Sequence, residues 1–266
     1  REKIADGVRK TTVGASLQQD WPFHAKYLLS YGYRYERSRL VLPPADTRSV
    51  PPEQVATAPV FFTGSRDSRD SFLDATKGSF AALGTEIAPG WLGSDYGYLR
   101  WFGQYYKYFP LKQPPPGAFG EAPRRSRFVY ATAVRIGLQS ALNPDGVVLT
   151  DRFFAGGGTT IRGFSQDSVG PQSADGKPLG GNAMLVLNNE FRFPLYRFLD
   201  AVVFSDLGNV YANVSQFRLT DVRKSAGFGL RIRNPFVVLR FDYGVKLDRR
   251  PGERFGAFFF SIGQAF

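Results

Sequence analysis

Few residues of this 266-residue chain could carry out bond chemistry. His24 is the single histidine and cysteine is absent, so a nucleophilic triad would have one possible base and no thiol. No serine stands in a Gly-x-Ser-x-Gly frame, the sharp turn that exposes a hydrolase nucleophile. Cys/His clusters and calcium-loop spacing of acidic residues are also missing. His24 follows Trp21-Pro22-Phe23, read as a tight turn, and opens a strand-like run, where it reads as a turn or interfacial residue. The expectation is a protein that is not an enzyme, with no catalytic residue, metal or cofactor.

Ionic recognition is the chemistry that remains, and it concentrates in residues 151–171, DRFFAGGGTTIRGFSQDSVGP. Gly156, Gly157 and Gly158 stand together there, followed by Ile161, Arg162, Gly163 and Phe164. Glycines allow turns closed to residues with a Cβ. A connection this long between strand-like segments is seldom idle in a compact domain, so residues 140–181 are expected to form a functional loop.

The elements that must position this loop are strands. Hydrophobic residues make up 43% of the chain and aromatics 15%, with 25 Phe and 13 Tyr against one Met, a bias that favours sheet. A mean hydropathy of -0.23 and the lack of an apolar run near eighteen residues exclude a helical membrane span. A membrane barrel stays open, because its alternating strands need only about 9 to 11 residues to cross. Across HAKYLLSYGYRYER, residues 24–37, Tyr27, Leu29, Tyr31, Tyr33 and Tyr35 share one face, and Lys26, Ser30, Arg34 and Glu36 the other. The same alternation sets Tyr130, Val134 and Ile136 opposite Ala131, Ala133 and Arg135. It sets Phe228 and Leu230 opposite Gly229 and Arg231, and Phe241 and Tyr243 opposite Arg240, Asp242 and Gly244. One face suits lipid or a core and the other a crowded, wet interior.

Eleven strands are expected, near 11–20, 24–38, 56–67, 77–88, 95–109, 127–139, 182–193, 199–206, 224–233, 236–246 and 256–266, with residues 1–10 reading poorly as strand. Pro- and Gly-rich connections fall at 42–58 and 110–125, and a tight turn at 233–236. Single-chain bacterial barrels have even strand numbers, so an odd count predicts the C-terminal part of a larger barrel; a closed twelve-stranded barrel is the alternative. The formal charge of +11 is spread along the chain, many basic residues falling at alternate strand positions. That distribution favours an arginine-rich lumen or rim, with lipid or lipopolysaccharide as neighbours, over nucleic acid. The chain begins REKIADG without a charged-then-apolar leader, so a secretion signal would lie upstream or have been removed.

The segment RFFAGGGTTIRGF closely resembles the inward-folded loop of the BamA/TamA superfamily of outer-membrane β-barrels. GNAMLVLNNEFRFPL and VVFSDLGNVY resemble the strands that follow it in that family, and SAGFGLRIRNPFVVLRFDYGVKL with FGAFFFSIGQAF the closing hairpin and last strand. SRDSRDSFLDATKGSF is similar to a turn between earlier strands, with Ser71 and Ala75 replacing the family's usual residues. The resemblance implies an all-β antiparallel transmembrane barrel, with 1–266 a single partial domain of about sixteen strands in the whole and POTRA domains upstream. It implies that Arg162 meets the wall residues Glu190 and Asp206, beside Gly208, that Gly163 allows close approach to the wall, and that Phe164 packs the tip. Phe258, Phe260, Ile262, Gly263 and Phe266 resemble a C-terminal assembly signal at a weakly paired seam. The function implied is insertion or translocation of unfolded outer-membrane or secreted proteins in a bacterial outer membrane, with periplasmic or lipoprotein accessory subunits. A passive pore or a barrel anchoring another domain is the alternative.

Overall fold

The computed structural model describes residues 2–4, 8–41, 54–112, 127–144, 146–196, 198–233 and 238–263. The strands are β1 (Glu2–Ile4), β2 (Val8–His24), β3 (Tyr27–Val41), β4 (Gln54–Thr57), β5 (Val60–Asp67), β6 (Gly78–Ala88), β7 (Tyr98–Pro110) and β8 (Val129–Ala141), followed by β9 (Ala183–Pro194), β10 (Leu199–Tyr211), β11 (Arg223–Arg233), β12 (Val238–Lys246) and β13 (Gly256–Ile262). They form one antiparallel sheet in which each strand pairs with its neighbour in sequence, save that β3 pairs with both β4 and β5. Among the described residues, eleven strands have seven residues or more. β4 continues the line of β5 along β3, interrupted at Ala58 and Pro59, so the single strand expected near 56–67 is one run with a break. The only helical pieces among the described residues are three-residue 3-10 turns, and no helix is long and apolar enough to cross a membrane.

Three expectations need correction. Trp21-Pro22-Phe23 is not a turn: it lies inside β2, and the chain reverses at Ala25 and Lys26. Pro22 is tolerated because β2 pairs there with β3 alone, with a register shift between Pro22 and His24, and a proline lacking its N–H fits an edge or a bulge. His24 therefore closes β2 instead of opening a strand, its ring edge-on to Tyr27 at 5.7 Å. Residues 2–4 and 8–10, read poorly as strand, pair with one another as β1 and the start of β2. The turn expected at 233–236 lies outside the described residues after Arg233, as do most of 42–58 and 110–125.

Alternation along the strands sorts the side chains onto two faces. In β10, Asp200, Val202, Phe204, Asp206 and Gly208 are buried and face inward, while Val203 is exposed between them. Register then carries the outward set from strand to strand: Phe109, Tyr130, Phe191, Val203, Phe228, Tyr243 and Phe258 stand opposite one another in succession from β7 to β13. All are at least 36% exposed, and so broad an apolar belt is what hydrocarbon accepts and water does not. The antiparallel order also defines two rims. Turns 25–26 and 195–198 share one, and the long connections 142–182, 212–222 and 247–255 share the other.

Val203→Arg places a charge at the middle of this belt. The expected cost is about 2 to 4 kcal/mol in lipid, read from denaturant unfolding in vesicles; Lys224→Arg, near a strand end on the loop rim, should stay within about 0.5 kcal/mol.

Candidate functional site: an arginine locked inside the sheet

The connection 142–182 folds back on itself through bridges pairing Phe153 with Gly181, Ala155 with Val169 and Gln172 with Pro178. Its tip turns on Gly156 (φ 109°), Gly157 (φ 101°) and Gly163 (φ 91°), left-handed conformations that favour glycine. Ile161 and Phe164 are buried with Ala155 and Val169 of the loop and Met184, Val186 and Val210 of the wall. Gly208 makes room for this core, since a Cβ there would stand 2.9 Å from Ile161 Cδ1. Gly163 passes against the backbone of Gly244 in β12, where a Cβ on either glycine would clash.

These contacts deliver Arg162 to the inner wall with 1% of its surface exposed. Asp206 accepts from its backbone N–H at 3.0 Å, from Nε at 2.7 Å and from Nη2 at 2.8 Å. Nη1 donates to Glu190 at 2.5 Å and lies 3.4 Å from Asp242. The guanidinium carbon sits 3.5 Å from the centroid of the Phe204 ring, stacked on its face. A planar fork meeting one carboxylate through two parallel bonds is the strong form of this contact, and burying it makes the loss of either partner expensive.

The wall carboxylates are shared. Glu190 also accepts from Arg192 at 2.9 Å and Arg231 at 3.2 Å, and Asp242 from Arg231 at 2.6 Å, with Arg240 Nε 3.2 Å from Asp242. With Arg135, this makes five guanidiniums around three carboxylates. Other wall donors go to the loop backbone. Arg240 donates to the carbonyl of Gly158, Arg135 to that of Thr159 at 2.8 Å, and Asn188 to that of Thr160 at 2.6 Å. Three consecutive carbonyls are thus held by wall side chains from three strands.

Toward the loop rim, Phe164 lies under two cations, Arg223 at 4.6 Å and Lys246 at 5.0 Å. Arg223 donates to Glu253 at 2.8 and 3.0 Å and to Asp248 at 2.8 Å. Partial burial pushes the Glu253 carboxyl up, but the Arg223 hydrogen bonds outweigh it and bring it down to about 2. Above this cluster a mostly polar cavity of about 590 Å³ opens between Gly170, Tyr211, Arg218, Asp221 and Arg250.

The C-terminal residues lie apart from the lock. Phe258, Phe260 and Ile262 are exposed on the outer face of β13, Phe241 packing against the first two. Gly263 (φ 95°) follows the strand, and Phe266 is outside the described residues. Asp242, Arg231, Arg240, Arg135, Phe204 and Gly244 take part in the site without having been singled out in sequence. Alternation had assigned several of them to the inner face, but nothing local tells which inward charge meets a loop some 80 residues away.

Two outcomes follow. Arg162→Met leaves Asp206 buried without its cation and should cost about 3 to 5 kcal/mol, measured by thermal unfolding in detergent; adding Asp206→Asn should recover part of the loss. Glu253 has a depressed folded value, so its contribution is full above about 4.5 and fades as pH falls toward about 2. Protection factors of the amides near Phe164, corrected for intrinsic exchange, should fall over that window, and Glu253→Gln should flatten that fall.

A family description, the Omp85 superfamily domain, matches residues 1–266. The outer membrane protein assembly factor BamA of Nitratidesulfovibrio vulgaris is 30% identical over 272 residues, 98% of this chain and 32% of that protein. A SAM50-like protein of Schizosaccharomyces pombe is 35% identical over 137 residues, covering 50% of this chain and 26% of its own, and the sorting and assembly machinery component 50 homolog of Mus musculus is 27% identical over 186 residues, 70% and 36% respectively. The chain thus spans about a third of the length of these curated relatives. The crystal structure of BamA from Haemophilus ducreyi lacking POTRA domains 1-3 superposes with a TM-score of 0.78 at 20% identity, over 96% of this chain and 55% of that one. With the family description spanning it from end to end, the chain belongs to the Omp85 superfamily of β-barrels.

Proposed function

We propose that this chain is part of the barrel of an outer-membrane protein that assembles or translocates other proteins. The carrying observation is the Arg162 lock, a costly buried arrangement set beside a terminal strand. β13 meets β12 in only seven registered pairs, and a weakly paired strand can accept a strand from another polypeptide by β-augmentation. The printed names of the relatives, outer-membrane assembly factor and sorting and assembly machinery component, support this reading. On it, the substrates are unfolded outer-membrane or secreted chains, the surroundings are outer-membrane lipid and lipopolysaccharide, and accessory subunits act from the periplasm. Relatives come from both a bacterium and eukaryotes; we assign the chain to a bacterial outer membrane, as the C-terminal portion of a barrel of about sixteen strands with POTRA domains upstream. Function in this scheme needs no bond chemistry.

The second reading is a passive pore or an anchor for another domain, which the apolar belt would serve equally well. The two separate in liposomes containing the full-length protein. Arg162→Gln should lower insertion of a reporter barrel at least roughly tenfold, since the buried pair it breaks is worth more than the ~1.4 kcal/mol that a factor of ten represents. Asp175→Asn, in the exposed part of the same loop, should leave insertion unchanged. Full insertion by an Arg162→Gln protein whose loop is demonstrably displaced would move the assignment to a pore or anchor.

A further inference from the structure

Gly158 differs from the two glycines before it. Its backbone is not left-handed, so conformational freedom does not account for a glycine there. The reason is a neighbour: a Cβ at 158 would lie 3.2 Å from Phe259 Cβ and 3.3 Å from its Cγ and Cδ1. Phe259 belongs to β13, where its half-buried ring is the one large side chain facing inward, between Ala257 and Ser261. Across the sheet it stands opposite Asp242, the carboxylate that serves Arg231, Arg240 and Arg162. Arg240 of β12 meanwhile holds the Gly158 carbonyl. Residue 158 is therefore gripped from β12 and seated against β13, while Gly163 rests on Gly244 of β12.

We propose that this contact is a bearing for the terminal strand: Gly158 and Phe259 are positioning residues through which the inward loop sets the pairing of β13 from inside the lumen. β13 is the place where such support counts. It is seven residues long and meets β12 in seven registered pairs, against fifteen between β2 and β3. Withdrawal of the loop removes the inner support and loosens the edge. The consequence for capture of an incoming polypeptide strand rests on the function proposed above; the mechanical coupling does not.

Hydrogen exchange of the protein in lipid nanodiscs tests it. Gly158→Ala adds one methyl group to a filled contact, and exchange of the β13 amides should rise roughly tenfold or more, the scale expected of overpacking, with β9 and β10 unaffected. Combining it with Phe259→Leu, which makes room for the methyl, should bring β13 back to within about twofold of the parent, again on the scale of a relieved overpacked contact. Phe259→Ala, which withdraws the contact from the strand side, should loosen β13 without altering the loop. The proposal is overturned if Gly158→Ala speeds exchange only in residues 156–164, if the double variant is no better than the single one, or if Phe259→Ala leaves β13 unchanged. No substrate enters this measurement, so a responsive β13 together with full reporter insertion by Arg162→Gln would sink the assembly function and leave the bearing standing.

Discussion

The pairing of Arg162 with Asp206 is the constraint on which the interior depends. Asp206 has no exposed surface, and an ionised carboxylate so placed requires a cation with its donors already aimed. Among the described residues the cation that forms an ion pair with Asp206 arrives on a loop. The loop must then descend into the sheet, turn tightly at Gly156 and Gly157, and pass Gly208 and Gly244 at backbone distance. The core around Ile161 and Phe164 adds apolar burial to the same path. Ion pair and hydrophobic packing therefore specify one position for the tip, each covering a weakness of the other: packing alone lacks direction, and the ion pair alone would not offset its own desolvation.

The charge balance follows the same logic. An excess of guanidiniums over carboxylates in a confined space is unfavourable unless the spare N–H groups find acceptors. Arg240 and Arg135 each place one on a peptide carbonyl of the loop, whose partial negative charge is fixed by the loop's own fold, while Nε of Arg135 and of Arg231 is buried without a hydrogen-bond partner among the described residues. These arginines face inward and the aromatic rows face out, so one sheet presents a charged inside and an apolar outside without any layer between them.

Strand periodicity made the sheet, its eleven long strands and the sense of each face legible in the sequence, because a period of two is written residue by residue. The loop could be located for a similar reason, since three adjacent glycines followed by Ile-Arg-Gly-Phe are visible locally. Two kinds of feature were not legible. Pro22 near the end of β2 looked like a turn because a proline's usual effect on pairing holds only where both sides of a strand are bonded. Phe259 beneath Gly158, and Asp242 and Arg240 beside the lock, depend on a tertiary meeting of segments some 80 to 100 residues apart, which neither alternation nor composition encodes.

The register of the sheet and the reach of the lock differ in kind, and the difference bears on how the molecule is made. Apart from β3, which pairs with β5 as well as β4, every pairing in the sheet joins strands adjacent in sequence, so hairpins can close one after another, each at a modest entropic cost. The loop cannot seat in that way: its carbonyl and side-chain partners come from β8, β9, β10 and β12. Arg162 itself finds its carboxylates on β9, β10 and β12, and its burial requires all three to be in place. The seated loop therefore reads several strands at once: a missing or slipped strand among β8 to β12 would take away part of its set of partners.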